Sequence, residues 1–226
     1  MPTALLDTST NTAVFALIEN NKQVFYREKT GRFGASVILP EMLRDAQNEG
    51  FPVNSISTWF VGKGPGSFTG TRVGIAFSQG LATGCGATMR GSNSGLLFIP
   101  ALIKKFPQAT SLAILHDGRR DEAIVNTFHL TDGEWCPTDI FICKINEIKE
   151  LCQDINCLGS TLTTETYGDA AIELADKLLC EIKPDPMGLL LDSNPLPSNN
   201  AEEDHSLAPI YVRPAVFIKP LVTRDL

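Results

Sequence analysis

The chain has 226 residues, a formal charge of −7, and 43% hydrophobic against 20% charged residues. That balance excludes wholesale disorder, and the length removes any dependence on disulfides for stability. No lysine- or arginine-rich block is present, which argues against unaided binding to nucleic acid, where phosphate neutralisation supplies most of the affinity.

No apolar run approaches bilayer length and no basic segment precedes Ala4, so neither a membrane span nor a signal peptide is expected. The six cysteines (Cys85, Cys136, Cys143, Cys152, Cys157, Cys180) lack CxxC spacing. They read as small hydrophobes in a reducing, cytoplasmic compartment. The three histidines, His116, His129 and His205, form no HxxxH or HExxH pattern, so no metal site is expected.

Residues 4–6, 13–18 and 23–28 predict three strands joined by polar turns at Asp7–Thr12 and Asn20-Asn21, an antiparallel meander. Leu39, Met42, Leu43 and Ala46 fall at helical spacing. Ser36 is the expected cap, Pro40 the first-turn proline, and Gly50 and Pro52 the stop. A strand over 57–62 then enters a glycine-rich loop, and a second helix is expected over 70–81. This alternation, with a further strand after it, is that of an α/β layer.

Near Pro107 the pattern restarts. Strands are expected over 112–115, 122–129, 140–142 and 155–158, and helices over 145–152 and 165–179. The reading is of two lobes, 1–105 and 106–226, the second carrying a Pro/Asn-rich loop (183–206) and a docking segment (208–214).

The loop Gly62-Lys63-Gly64-Pro65-Gly66-Ser67-Phe68-Thr69-Gly70 sits between strand and helix, where amides can cradle an anion. It matches neither Walker A nor GxGxxG, and tight turns without ligands use such loops as often. In the following helix Gly70, Gly74 and Ser78 make a small-residue stripe, with Val73, Phe77 and Leu81 as an apolar one. A helix so nearly apolar all round must be covered on both sides. A sheet is expected over the apolar stripe and another helix over the small one, from this chain or another. Asp7-Thr8-Ser9-Thr10 reads as a hydroxyl-rich turn with a structural aspartate. No GxSxG elbow or convincing catalytic set is present.

Residues 5–10, the Ile38-Leu39-Pro40 run, the GPGSFTG run (64–70) with Arg72 and Gly74, and Gln79–Ala82 together resemble the TsaB (YeaZ) family. Asp117–Glu122 and Pro209-x-Tyr211-x-Arg213 are similar to its later segments. The resemblance is dense over 4–96 and patchy beyond. It departs where the family carries a histidine ahead of the Ile-Leu-Pro run, and where Gly118 replaces an alanine. It also departs in a polar insertion over 194–203.

The resemblance implies an actin-like ATPase (RNase H-like) fold of two lobes, each with a mixed sheet and helices, and a degenerate nucleotide site. Asp7, Thr8, Ser9, Gly64, Gly66 and Ser67 would be its vestigial phosphate or structural loop. It further implies a non-catalytic subunit that binds TsaD through a bundle of N-terminal helices, with TsaE joining and ATP/Mg acting at the level of the complex. TsaD then threonylcarbamoylates N6 of the adenosine 3′ of the tRNA anticodon. Leu39, Met42, Leu43, Gly70, Arg72, Gly74 and Ser78 would form the docking surface, with a homodimer as a further candidate and tRNA met only indirectly. Two other readings stay open: an active ATPase or protease-like hydrolase of the same fold, and a self-associating module with another partner.

Overall fold

A computed structural model describes residues 1–30, 34–119, 121–162, 164–167, 174, 179–191 and 207–212. It contains two five-stranded mixed sheets. The first is built from β1 (Thr3–Asp7), β2 (Thr12–Glu19), β3 (Lys22–Thr30), β4 (Thr58–Gly62) and β5 (Thr88–Ser92), in the order β3-β2-β1-β4-β5. The second uses β6 (Ser111–Arg119), β7 (Glu122–Thr131), β8 (Glu134–Lys144), β9 (Cys157–Ser160) and β10 (Cys180–Glu181), in the order β8-β7-β6-β9-β10. Each sheet is an antiparallel meander with two parallel strands added beside its first strand. This repeated topology is the two-lobed actin-like α/β arrangement.

The strand sequences explain the layering. Side chains alternate between faces along a strand, and β1 and β2 are apolar on both. Leu5, Val14 and Ala16 face a core shared with Leu112, Ile114 and Phe128 of the second sheet. Ala4, Leu6, Phe15 and Leu17 face the opposite way, under α1 (Ala35–Asn48) and α2 (Phe68–Cys85), with Leu39, Met42 and Trp59. Ala113, Leu115 and Val125 meet Ile148 of α4 (Ile148–Leu151) beyond the second sheet. Between the sheets lies the turn-rich segment Ser94–Phe98 with α3 (Ile99–Lys105).

Several elements differ from expectation. Helix α1 starts at Ala35 with Gly34 before it and no side-chain cap, so Ser36 lies inside the helix. Pro40 falls in the second turn, where it offers no N–H to the Ser36 carbonyl. Both residues are exposed, so water can serve that carbonyl. Helix α2 runs longer than predicted at both ends, from the Ser67 cap to Gly86, whose left-handed φ of 68° ends it. The helix expected over 145–152 is one 3-10 turn and the short α4, and β9 starts two residues later than predicted.

Inside the expected 183–206 loop, Pro186–Leu191 forms a 3-10 helix with Gly188 and Leu189 buried. Most of the helix expected over 165–179, and residues 192–206, lie outside the described residues, as do Arg32, Phe33, Arg120, Arg213 and Pro214. All six cysteines are free, four of them buried. Among the described residues no helix is long and apolar enough to cross a membrane.

Candidate functional site

The ends of β1 and β4 lie side by side, and the glycine-rich loop leaves β4 by wrapping the turn that follows β1. Asp7 ends β1 and is 1% exposed. Its Oδ1 accepts the Ser9 N–H and the Ser9 hydroxyl, each at 2.7 Å. Oδ2 accepts the Ser94 hydroxyl at 2.5 Å, and Ser94 Oγ in turn accepts the Gly64 N–H at 2.9 Å. Burial pushes the Asp7 carboxyl above its ordinary range, and the hydrogen bonds from Ser94 and Ser9 oppose that rise.

The loop is laid directly on this turn. The Ser67 N–H donates to the Ser9 carbonyl at 2.6 Å, and the Thr8 hydroxyl donates to the Gly70 carbonyl at 2.7 Å. The Gly70 N–H goes to Ser67 Oγ at 3.1 Å, capping α2. Four glycines permit the approach. A Cβ at Gly62 would collide with Asp7 Oδ2, at Gly66 with Ser9 O, at Gly70 with Thr8 O and at Gly74 with Thr8 Oγ1. The amides of Gly64, Ser67 and Gly70 are therefore committed within the chain.

This packing corrects the reading of the small stripe. Gly74 and Ser78 are buried, and Gly70 and Gly74 face Thr8, so the stripe is covered by the chain's own turn. Val73, Phe77 and Leu81 pack, as expected, against a cluster that includes the sheet residues Ala4, Leu6, Phe15, Leu17 and Trp59, and α1 completes it. Leu39 (1% exposed) and Met42 (0%) belong to that core and Leu43 packs on its edge. Of the residues named for docking, Arg72 is exposed. The outward side of α2 carries Thr69, Arg72, Ala76, Gly80 and Thr83, and nothing lies within 4 Å of a Cβ built on Gly80.

Between the two sheets is a cavity of about 470 Å³. The Ser9–Thr12 turn and the start of α2 form one side, and His116 to Arg119, Ile124, Ile142 and Thr161 the other. Asp7 does not line it. His116 is 1% exposed, its ring is edge-on to Phe98 at 5.9 Å, and neither nitrogen has a partner among the described residues. Burial lowers its pKa to about 4, so the ring is neutral. Nearby, Asn93 Oδ1 accepts the Gly95 N–H and an Nδ2–H of Asn126, tying the two sheets. At the mouth, the Ile210 N–H donates to the Lys63 carbonyl at 2.7 Å. The Arg72 guanidinium stacks 3.7 Å from the centre of Phe68, and Arg72 Nε–H donates to the Tyr211 hydroxyl at 2.5 Å.

His116 and Asn126 belong to no sequence motif: each is a buried polar residue among others in its strand.

The model of a family described as "TsaD: tRNA N6-adenosine threonylcarbamoyltransferase" matches residues 34–135. Two curated relatives are called "tRNA threonylcarbamoyladenosine biosynthesis protein TsaB". That of Haemophilus influenzae is 39% identical over 79 residues, 35% of this chain and 34% of its own length. That of Escherichia coli K12 is 35% identical over 86 residues, 38% of this chain and 37% of its own. The aligned stretches thus span only about a third of each relative. YeaZ from Pseudomonas aeruginosa supplies the remainder of the fold: TM-score 0.69 at 18% identity, covering 93% of this chain and 99% of that one. Over the aligned stretches the chain resembles the TsaB proteins in sequence, and over nearly its whole length it shares the fold of YeaZ. The fold likeness extends over the second lobe, where the sequence likeness is patchy.

Proposed function

We propose that this TsaB-like protein is a non-catalytic scaffold required for threonylcarbamoylation of N6 of the adenosine 3′ of the anticodon in tRNA. It docks on TsaD and, together with TsaE, activates it in the cytoplasm. ATP and Mg act at the level of the complex, and tRNA is met through TsaD. The names of the two curated relatives support the pathway.

The observation that carries the scaffold reading is the outward side of α2. Thr69, Ala76, Gly80 and Thr83 form an exposed, small, uncharged stripe flanked on one side by Arg72 and Gln79. Small residues let a partner helix approach closely, and the neighbouring helix α1 has Val37 and Pro40 exposed. The committed loop amides and the buried Asp7 support the absence of an independent ATPase site.

The test is co-purification with the organism's TsaD, comparing wild type with Gly80→Leu. Leucine at Gly80 meets open space and raises helix propensity, so the free protein stays folded. The expected result is loss of TsaD binding and of tRNA modification in a reconstituted mixture with TsaE. Wild-type TsaD binding by Gly80→Leu would overturn the surface, and ATP hydrolysis at enzyme-like rates by the chain alone would overturn the scaffold role. Sedimentation of the same variant separates a homodimer over this face from a TsaD-specific one.

A further inference from the structure

The small stripe on α2 is bordered by a cluster assembled from two distant parts of the chain. Phe68 and Arg72 stand one turn apart at the start of α2, and Tyr211 reaches them from the C-terminal segment. A backbone bond brings that segment there, the Ile210 N–H donating to the Lys63 carbonyl at 2.7 Å. The Phe68 and Tyr211 rings lie 5.0 Å apart, and each residue is 44% exposed. The Arg72 guanidinium lies 3.7 Å from the centre of the Phe68 ring and 5.1 Å from that of Tyr211, and its Nε–H donates to the Tyr211 hydroxyl.

That bond uses one edge of the guanidinium. Its terminal amino groups meet no acceptor among the described residues, and no acidic group there pairs with Arg72. Arg27 and Lys29 of β3, by contrast, are closed off by Asp45, Glu49 and Glu41. A chain with 26 acidic against 19 basic residues does not lack carboxylates, yet none of the described ones is set against Arg72. An arginine already held by stacking loses little freedom on binding, and its planar fork matches a carboxylate. Tyrosine and arginine are also the residues on which interface energy concentrates. Nucleic acid fits poorly, because it asks for several cations and Arg72 is the sole charged residue of α2. Arg72 does not line the cavity between the sheets, so its charge belongs to the docking face.

We infer that the helix docking on α2 presents an aspartate or glutamate to Arg72, and that Tyr211 is a positioning residue that holds the guanidinium ready for it. This rests on the docking reading above and adds the C-terminal segment to the docking surface.

The experiment is titration calorimetry of the full chain against TsaD, at low and high salt. Arg72→Gln should weaken binding by at least about tenfold, the scale of one charge-assisted hydrogen bond, and should flatten the salt dependence. Tyr211→Phe keeps the ring and removes the hydroxyl. It should weaken binding severalfold in the wild type and have no further effect in Arg72→Gln, which a merely structural role would not produce. Arg72→Glu should abolish binding, and reversing one acidic residue on the N-terminal helices of TsaD to arginine should restore it. Binding by Arg72→Gln at wild-type affinity, or no restoration by any single reversal, overturns the contact. Where Gly80→Leu abolishes binding and Arg72→Gln does not, the contact alone falls and docking on α2 stands. Absence of binding by the wild type overturns both.

Discussion

Helix α2 contains two glycines whose substitution by alanine should act in opposite directions. Gly80 faces open space, so Gly80→Ala gains only helix propensity, about 1 kcal/mol. Gly74 gains the same propensity, but its new Cβ would lie well inside the 3.0 Å that real Cβ atoms keep from other heavy atoms, against Thr8 Oγ1. That oxygen is the donor to the Gly70 carbonyl at 2.7 Å, and Thr8 is buried. Overpacking of this kind costs about 1–3 kcal/mol, and an orphaned buried partner about 1–3 kcal/mol more. Gly74→Ala should therefore be destabilised by roughly 1–5 kcal/mol net, and Gly80→Ala stabilised by about 1 kcal/mol. For a chain of this size each kcal/mol moves Tm by about 2–4 °C. Thermal and urea unfolding of both variants measures this directly. Thr8→Ala removes the colliding oxygen, so the double variant Thr8→Ala/Gly74→Ala should be more stable than the sum of its parts, by about 1–3 kcal/mol. A Gly74→Ala protein as stable as Gly80→Ala, or additive behaviour in the cycle, would refute the packing argument.

Further outcomes follow from the buried polar groups. His116 has its pKa lowered to about 4 by burial, so the unfolded chain binds its proton more readily. That contribution is whole above pH about 6.5 and is lost as pH falls towards 4, by about 3 kcal/mol. Asp7, shifted upward by burial, acts with the opposite sign, because its protonation relieves a cost. Urea unfolding from pH 7 to 4 should thus show a shallower loss in His116→Leu than in wild type, and identical slopes would remove His116 as the cause. Ser94→Ala deletes a donor to Asp7 and the acceptor of the Gly64 N–H, and should cost about 1–3 kcal/mol in urea unfolding. Arg72→Ala and Tyr211→Ala should each change stability little, but a double-mutant cycle should return a coupling of about 0.5–1 kcal/mol for their exposed stack.

Much of the fold was legible because its strands obey simple periodicities. Apolar runs such as Ala13–Ile18 announce burial on both faces, and the turn residues between them mark a meander. The boundaries of α2 were less legible, since its cap Ser67 sits inside the loop signature and Gly86 beyond the last apolar residue. Its azimuth was not legible at all. Gly70, Gly74 and Ser78 form one small stripe and Thr69, Ala76, Gly80 and Thr83 another, on opposite sides of the same helix. Local spacing makes the two equivalent. What distinguishes them is Thr8, 62 residues before Gly70 in the chain, which fills the space beside the first. The packing of His116 is likewise set by a residue off its own strand, Phe98.

The glycine spacing itself now has a physical cause. Gly62, Gly66, Gly70 and Gly74 recur every four residues and each abuts the Asp7–Ser9 turn: its carboxylate, then Ser9 O, Thr8 O and Thr8 Oγ1. Four consecutive contacts on three residues mean that the loop and helix roll along the turn at backbone distance. No side chain fits between them. Between the turn and these glycines no room is left for a phosphate. These glycines therefore seat α2, which in turn sets the direction in which Ala76 and Gly80 face. Any larger residue at 66, 70 or 74 would tilt or unseat that helix and abolish docking indirectly. Loss of binding in such variants says nothing about contact with a partner. Only substitutions on the outward stripe, where the helix stays seated, can separate the frame from the surface it presents.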